Sequence, residues 1–245
     1  MTPMSTLLLK TTSYQAVVFD LFGTLVPPFP GMLFEKTLAV MAKTLGADYA
    51  DFKRLWDDET WVARAIGEFA TVEANIEYIC KNLRVDASPE QVLAAARLRH
   101  TFSRNILHPR LDAVETLRQL RAFGLRLALI TDCSTEIPEL WGETPFAALI
   151  AAPIFSCKAG KKKPHPEIYH LACAGLGVAP KDCLYVGDGS SHELQGALQV
   201  GMDAVLIAPP EEETITSETK EWAAWTGERI ARLSDLIPIL QNTQA

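Results

Sequence analysis

The chain has 245 residues, more than one average domain and fewer than three, so it is expected to form one large domain or a core that carries a smaller module. Its 48% hydrophobic and 22% charged residues are ordinary for a globular protein and exclude neither an enzyme nor a binding module. A formal charge of -7 argues against nucleic acid as a partner, because a phosphate backbone demands clustered Lys and Arg, and the run Lys161 to Lys163 is too short to supply them.

In chain order, Met1 to Lys10 has neither a basic leader nor a long apolar stretch, so no signal peptide or membrane span is read there and a cytoplasmic location is expected. Ala16 to Asp20 is a short apolar run that ends at a carboxylate and then at Gly23, the pattern of a buried strand entering a loop. Between Pro30 and Leu107 the strand patterns vanish. Helical periodicity predicts Met32 to Leu45, Tyr49 to Ile66, Thr71 to Leu83 and Ser88 to Leu107, the last opening on the capping-box spacing Ser88-Pro89-Glu90-Gln91. Such a stretch inside an α/β pattern reads as an inserted module closing its own bundle; the plainer alternative is that these helices cover the sheet. Trp56 and Trp61 are expected in the core of this region, and Gly67-Glu68-Phe69 is a turn that could face a substrate.

Beyond the insertion, a helix is predicted over Leu111 to Phe123 and a strand over Leu125 to Thr131, with another strand within Leu149 to Phe155. A helix over Pro166 to Ala174 leads to a strand at Cys183 to Val186, which ends at Gly187-Asp188-Gly189. Glu193 to Val200 and Ala204 to Ile207 add a helix and a strand, Glu211 to Lys220 reads as a polar loop, and Trp222 to Leu240 as a last short strand and helix. Strand and helix in alternation predict an α/β fold with a parallel sheet covered on both faces. The cysteines, Cys80, Cys133, Cys157, Cys173 and Cys183, are odd in number and form no C-x-x-C pair, so reduced core thiols are expected in place of a disulfide frame or a zinc site.

Ligands of open α/β sheets bind at the carboxyl ends of the strands. Three predicted strand ends carry reactive residues: Asp20, Thr131-Asp132 and Asp188. Taken singly, each has an ordinary reading. An Asp or Thr there is often a turn or cap residue, a lone Lys163 is usually solvated, Glu193 suits any first helical turn, and His165 and His192 suit a surface.

Together and in order they are more specific. Val17-Val18-Phe19-Asp20-Leu21-Phe22-Gly23-Thr24-Leu25 resembles the first motif of the haloacid dehalogenase superfamily, and Leu127 to Thr131 resembles the second. Lys163-Pro164-His165-Pro166-Glu167-Ile168-Tyr169 is similar to the third, and Tyr185-Val186-Gly187-Asp188 with Glu193 and Gly196-Ala197 to the fourth. The resemblance implies a Rossmann-like core in two parts, residues 1–28 and 108–245, with a helical cap at 29–107. It also implies a hydrolase acting on a small, phosphorylated molecule through an aspartyl-enzyme intermediate, as a monomer or homodimer. Asp20 would be the nucleophile, with Thr131 donating to the transferring group and Lys163 neutralising charge. Mg2+ would be held by Asp20, the Phe22 carbonyl and Asp188, with Glu193 nearby, and Gly23, Thr24, Asp132 and Phe22 would border the substrate.

Two positions depart from that pattern. Phosphatases of the superfamily carry an aspartate two residues after the nucleophile as general acid and base, and here that residue is Phe22. Dehalogenases of the superfamily have an aromatic residue there, since halide leaves without a proton, yet they need no metal and usually have serine where this chain has Asp188. Asp132 stands where asparagine is usual, a carboxylate that would repel an anionic substrate, and Glu193 replaces the commoner aspartate. Phosphatase is the leading expectation, with acyl or aryl phosphates favoured. A 2-haloacid dehalogenase and a non-catalytic magnesium-binding module are the alternatives.

Overall fold

The structure is a computed structural model that describes residues 13–210 and 224–241. The expectations for Met1 to Lys10 and Glu211 to Lys220 lie outside the described residues. Six parallel strands form one sheet in the order β3-β2-β1-β4-β5-β6, namely β1 Ala16–Phe19, β2 Arg126–Thr131, β3 Ala152–Phe155, β4 Cys183–Gly187, β5 Asp203–Ile207 and β6 Arg229–Ile230. The chain builds outward from β1 to β2 and β3, then returns to add β4 and β5 on the other side. Strand order therefore reverses between β1 and β4, where a crevice opens at the carboxyl ends.

The α/β expectation holds because the strands are apolar on both faces. Val17 and Phe19 contribute to the core on one side of the sheet, with Leu117 and Leu120 of α6 (Ala113–Ala122), while Ala16 and Val18 contribute to the core on the other, with Ile168 and Ala172 of α9 (Pro166–Leu176). β1 is fully buried, as a central strand with helices on both faces must be.

Between β1 and β2 lie α1 (Gly31–Leu45), α2 (Tyr49–Arg54), α3 (Trp61–Ala65), α4 (Val72–Leu83) and α5 (Pro89–Ile106). Leu38, Met41, Phe52, Trp56, Ile76 and Ala95 belong to a third apolar cluster, separate from the two that flank the sheet. The Ser88 capping box forms, and Gln91 also donates to the Thr44 carbonyl, tying the start of α5 to the end of α1.

Three expectations for this region are corrected. The single helix predicted from Tyr49 to Ile66 is broken by a π-helical turn at Leu55–Glu59, where Thr60 Oγ1 donates to the Leu55 and Trp56 carbonyls and competes with the regular ladder. Trp56 is buried as expected, but the break turns Trp61 out of the core to a half-buried position. The Gly67 turn does not line the cavity described below. Gly67 (φ +79°) presses on the sheet domain so closely that a Cβ there would lie 2.0 Å from the Cys157 carbonyl oxygen. No described helix is long and apolar enough to cross a membrane, and all five cysteines are buried and unbridged.

Candidate active site

Asp20 follows the last residue of β1, and its N–H donates to the Val186 carbonyl of β4 (2.9 Å), so its carboxylate emerges at the point of reversal. The next residues fold back on themselves: Thr24 and Val26 N–H groups donate to the Leu21 carbonyl, and Gly23 N–H donates to that of Val26. Gly23 has φ +84°, and a Cβ built there would lie 2.1 Å from Asp188 Oδ2. Only glycine lets this loop pass so near that carboxylate. Arg110 locks the loop from behind, donating to the carbonyls of Thr24 (2.9 Å) and Gly23 (2.7 Å). Gly23→Ala is expected to lower stability by about 1–3 kcal/mol through backbone strain. It should also displace Asp188, so that a divalent cation held there would bind at least about tenfold more weakly, both read by thermal unfolding with and without magnesium.

Lys163 stands behind Asp20. It is 2% exposed, and its Nζ donates to Asp20 Oδ1 and Glu193 Oε2, both at 2.5 Å. Burial alone would strip its proton, but the charges of Asp20, Glu193 and Asp132 raise its pKa well above the ordinary value, so it stays an ammonium. Its backbone is placed by Asp132, whose Oδ1 accepts from the Lys163 N–H at 2.9 Å. Asp132 also pairs with Lys162 at 3.8 Å, so its charge is engaged with lysines on the Lys163 side.

Glu193, at the start of α10 (Glu193–Gln199), has both oxygens occupied: Oε2 by Lys163 and by the Tyr185 hydroxyl (2.8 Å), Oε1 by the Gly189 N–H (3.0 Å). Its work is to hold Lys163 and the turn after β4. Asp20 is different. Its Oδ1 is held, while Oδ2 is buried without a hydrogen-bond partner.

Asp20, Asp188 and Glu193 are all buried and bring one oxygen each within 4.8 Å of one another. Burial raises the Asp20 carboxyl to about 6 against the pull of Lys163, with Asp188 adding to the rise, and burial with the Asp20 charge drives Glu193 well up. Asp20 and Glu193 share the Lys163 ammonium with the Asp188 carboxyl crowded beside them, and one buried oxygen, Asp20 Oδ2, has no donor among the described residues. That is the environment a small hard dication fits, with Asp20, Asp188 and the Phe22 carbonyl as oxygen donors.

Thr131, the last residue of β2, is fully buried with its hydroxyl unpartnered. Of the residues expected beside the substrate, Phe22 and Asp132 line a cavity of about 320 Å³ together with Asp20 and Lys163. Gly23 and Thr24 do not; they build the loop beneath it. His165 and His192 are exposed, and Cys133 is a buried thiol raised well above its ordinary pKa by burial and by Cys157 at 3.9 Å.

Phe22 is half-buried and meets Phe29 edge-on at 6.1 Å, and Phe29 in turn meets Phe34 at 5.0 Å. An apolar wall therefore stands two residues after Asp20. The opposite wall comes from the helices, as Trp56, Trp61, Arg64 and Arg99. None of these four was picked out for the site from sequence, since single residues within amphipathic helices carry no motif.

Arg99 of α5 and Glu136 of α7 (Glu136–Leu140) form a buried ion pair between the helices and the sheet domain, with Nε and Nη2 at 2.8 and 2.6 Å from Oε1. Ser134 and Ser103 donate to the same oxygen. Burial pushes the Glu136 carboxyl up, and the Arg99 charge, its own N–H and Ser134 outweigh it, so its pKa lies below the ordinary value. Glu136→Ala would leave Arg99 buried and uncompensated and is expected to cost about 3–5 kcal/mol by denaturant unfolding. Because the folded pKa is depressed, the pair's contribution is complete above the unfolded-state glutamate pKa and is lost as pH falls through the lower folded value.

The fold agrees with the comparisons to known proteins. The family model for haloacid dehalogenase-like hydrolases matches residues 14–201. The glyceraldehyde 3-phosphate phosphatase of Methanopyrus kandleri is 27% identical over 201 residues, covering 79% of this chain and 83% of that protein. The ribulose-1,5-bisphosphate 5-phosphatase of Halopiger xanaduensis is 28% identical over 240 residues, covering 91% and 98%. Among solved structures, a phosphatase from Thermococcus onnurineus shares the fold with a TM-score of 0.62 at 24% identity, covering 94% of this chain and all of that one.

Proposed function

The chain belongs to the haloacid dehalogenase-like hydrolases, and from that premise we propose that it is a magnesium-dependent phosphatase of small phosphorylated molecules acting through a phosphorylated Asp20. The observation that carries this reading is the buried group at the β1–β4 reversal: Asp20 held on one oxygen by Lys163, unpartnered on the other, and crowded by Asp188 and Glu193.

Asp20 attacks phosphorus, forming a carboxylate O–P bond as the bond to the leaving oxygen breaks; water then attacks the same phosphorus and frees the carboxylate. Lys163 keeps Asp20 oriented and spreads positive charge toward the phosphoryl oxygens, and the buried Thr131 hydroxyl is the donor available to them. Magnesium, held by Asp20, Asp188 and the Phe22 carbonyl, would supply neutralisation of the phosphoryl charge. Residues 29–107 act as the cap, bringing Trp56, Trp61, Arg64 and Arg99 over the cavity.

Phe22 sets the substrate range. With no side chain to hand a proton to the leaving oxygen at that position, acyl and aryl phosphates, which leave as weak bases, are favoured over alkyl esters. The relatives named above are phosphatases of glyceraldehyde 3-phosphate and ribulose-1,5-bisphosphate, which supports a small phosphorylated substrate here. The test is phosphate release from acetyl phosphate, phenyl phosphate and an alkyl phosphate, with and without magnesium. Equal kcat/KM on all three would remove the role given to Phe22. Halide release from a 2-haloacid that persists in chelator would move the chain to the dehalogenase reading, which the aromatic Phe22 favours.

Magnesium binding should also be pH-dependent. The Asp20 carboxyl, raised to about 6, must be ionised to serve as a ligand, so the apparent affinity should fall by about tenfold per unit below that pH and level off above it. Calorimetric titration at several pH values checks this. In the metal-free protein the sign is opposite to that at Glu136. A carboxyl raised on folding favours the folded state fully below the unfolded-state pKa, and that contribution is lost as pH rises toward about 6.

A further inference from the structure

We infer that Arg64 binds a second anionic group of the substrate, a carboxylate carried on an apolar or aromatic frame; the inference rests on the phosphatase reading and narrows its substrate class. Arg64 is 5% exposed, yet the partners of its Nη1 are all neutral: the Trp56 carbonyl (2.7 Å), Thr60 Oγ1 (2.6 Å) and Asn75 Oδ1 (3.1 Å). Among the described residues no carboxylate forms an ion pair with it.

Three N–H donors in this group of touching side chains are buried without an acceptor: Arg64 Nε, Arg99 Nη1 and Trp56 Nε1. The side chains are stacked, with the Arg64 guanidinium 4.3 Å and that of Arg99 5.9 Å from the Trp56 ring centre. All three line the cavity that also holds Asp20 and Lys163. Buried donors are rarely left unpaired in a folded protein, so the set is incomplete without an acceptor from outside the chain.

Charge identifies that acceptor. Arg99 is matched by Glu136, and Asp57, also on the cavity wall, is paired with Lys53 at 3.4 Å. Arg64 has no carboxylate at ion-pair distance among the described residues, and burial together with the Arg99 charge lowers its pKa to about 9 against the more distant charges of Glu136 and Asp57. An anion would relieve both pressures, and a planar carboxylate offers two acceptor oxygens to the donors left without one. Phe22, Phe29, Phe34 and Trp61 make the remaining wall apolar, and 320 Å³ lies at the small end of ligand cavities, about 300–1,000 Å³. The substrate is thus held at two ends, its phosphoryl group at Asp20 and its carboxylate at Arg64, across an aromatic-lined span.

The test compares phenyl phosphate with 3- and 4-carboxyphenyl phosphate on the magnesium-loaded wild type, Arg64→Gln and Arg64→Lys. In the wild type at least one carboxylated ester should exceed phenyl phosphate in kcat/KM by about 10- to 100-fold, mainly through KM. Arg64→Gln should erase that ratio, and Arg64→Lys should keep part of it. Equal wild-type rates on all three esters, or an equal loss on all three in Arg64→Gln, would overturn the inference. A second readout needs no phosphoryl chemistry: benzoate should raise the wild-type Tm more than benzyl alcohol does, and Arg64→Gln should abolish the difference. If benzoate stabilises through Arg64 but no ester releases phosphate, the phosphatase reading falls and the anion site stands. If esters are hydrolysed but benzoate and benzyl alcohol act alike, the anion site falls alone. Should Arg64→Gln fail to fold, the two wild-type comparisons decide.

Discussion

Asp20→Asn is expected to lower phosphate release by about 10⁴-fold or more while leaving the fold intact. An amide oxygen is too weak a nucleophile for phosphorus, and the amide's NH2 would be directed at either Lys163 or the buried position that Oδ2 now occupies. Lys163 would keep its contact with Glu193, so the surrounding hydrogen bonds persist. Stability should not fall in step with activity, because burial already penalises the charged form of Asp20 and raises its pKa to about 6. The measurement is kcat/KM beside thermal unfolding in the absence of magnesium. A variant that loses activity only because it unfolds would not support Asp20 as the nucleophile.

Phe22→Asp should act in the opposite direction. A carboxyl at this place on the cavity wall can protonate a leaving oxygen and later take a proton from water, which general acid–base catalysis sets at about 10²–10⁴-fold. In kcat/KM, which reports the first phosphoryl transfer, the gain should appear on alkyl phosphates and be small on acetyl phosphate, so the ratio between the two narrows. On acetyl phosphate kcat, set by hydrolysis of the shared aspartyl phosphate, should rise as well. The Phe22 carbonyl stays in place because it belongs to the backbone, so magnesium binding should persist. The cost is the contact with Phe29 at 6.1 Å and a destabilisation of about 1–2 kcal/mol for losing a half-buried ring. If alkyl phosphates gain nothing, a different group manages the proton and the account of Phe22 is wrong.

The strands and the reactive residues at their ends were legible because each rests on a local signal. Ala16 to Phe19 is apolar on both faces, as a central parallel strand must be, and it ends at Asp20 followed by Gly23, whose positive φ and close approach to Asp188 explain why glycine stands there. The capping box at Ser88 is likewise a short-range pattern, and it formed. The π-helical turn at Leu55–Glu59 was not legible, since it arises from Thr60 and from tertiary packing that no periodicity encodes. Arg64, Arg99 and Glu136 were missed for a related reason. In sequence each is an ordinary charged residue of a helix, and only the folded chain reveals that it is buried against a residue far along the chain or against a cavity. Arg110 belongs with them, because its partners, the Gly23 and Thr24 carbonyls, lie some 86 residues earlier.

The most direct test of the central claim is to trap the intermediate. With Phe22 unable to activate water, hydrolysis of the aspartyl phosphate should be slow relative to its formation, so the adduct should accumulate with acetyl phosphate and magnesium. Rapid quench followed by borohydride, which reduces an acyl phosphate to the alcohol, should convert residue 20 to homoserine, read by mass spectrometry of its peptide. Homoserine at position 20, dependent on substrate and magnesium, is the predicted result. Steady release of phosphate with an unmodified Asp20, or with the label at another carboxyl, would contradict the account.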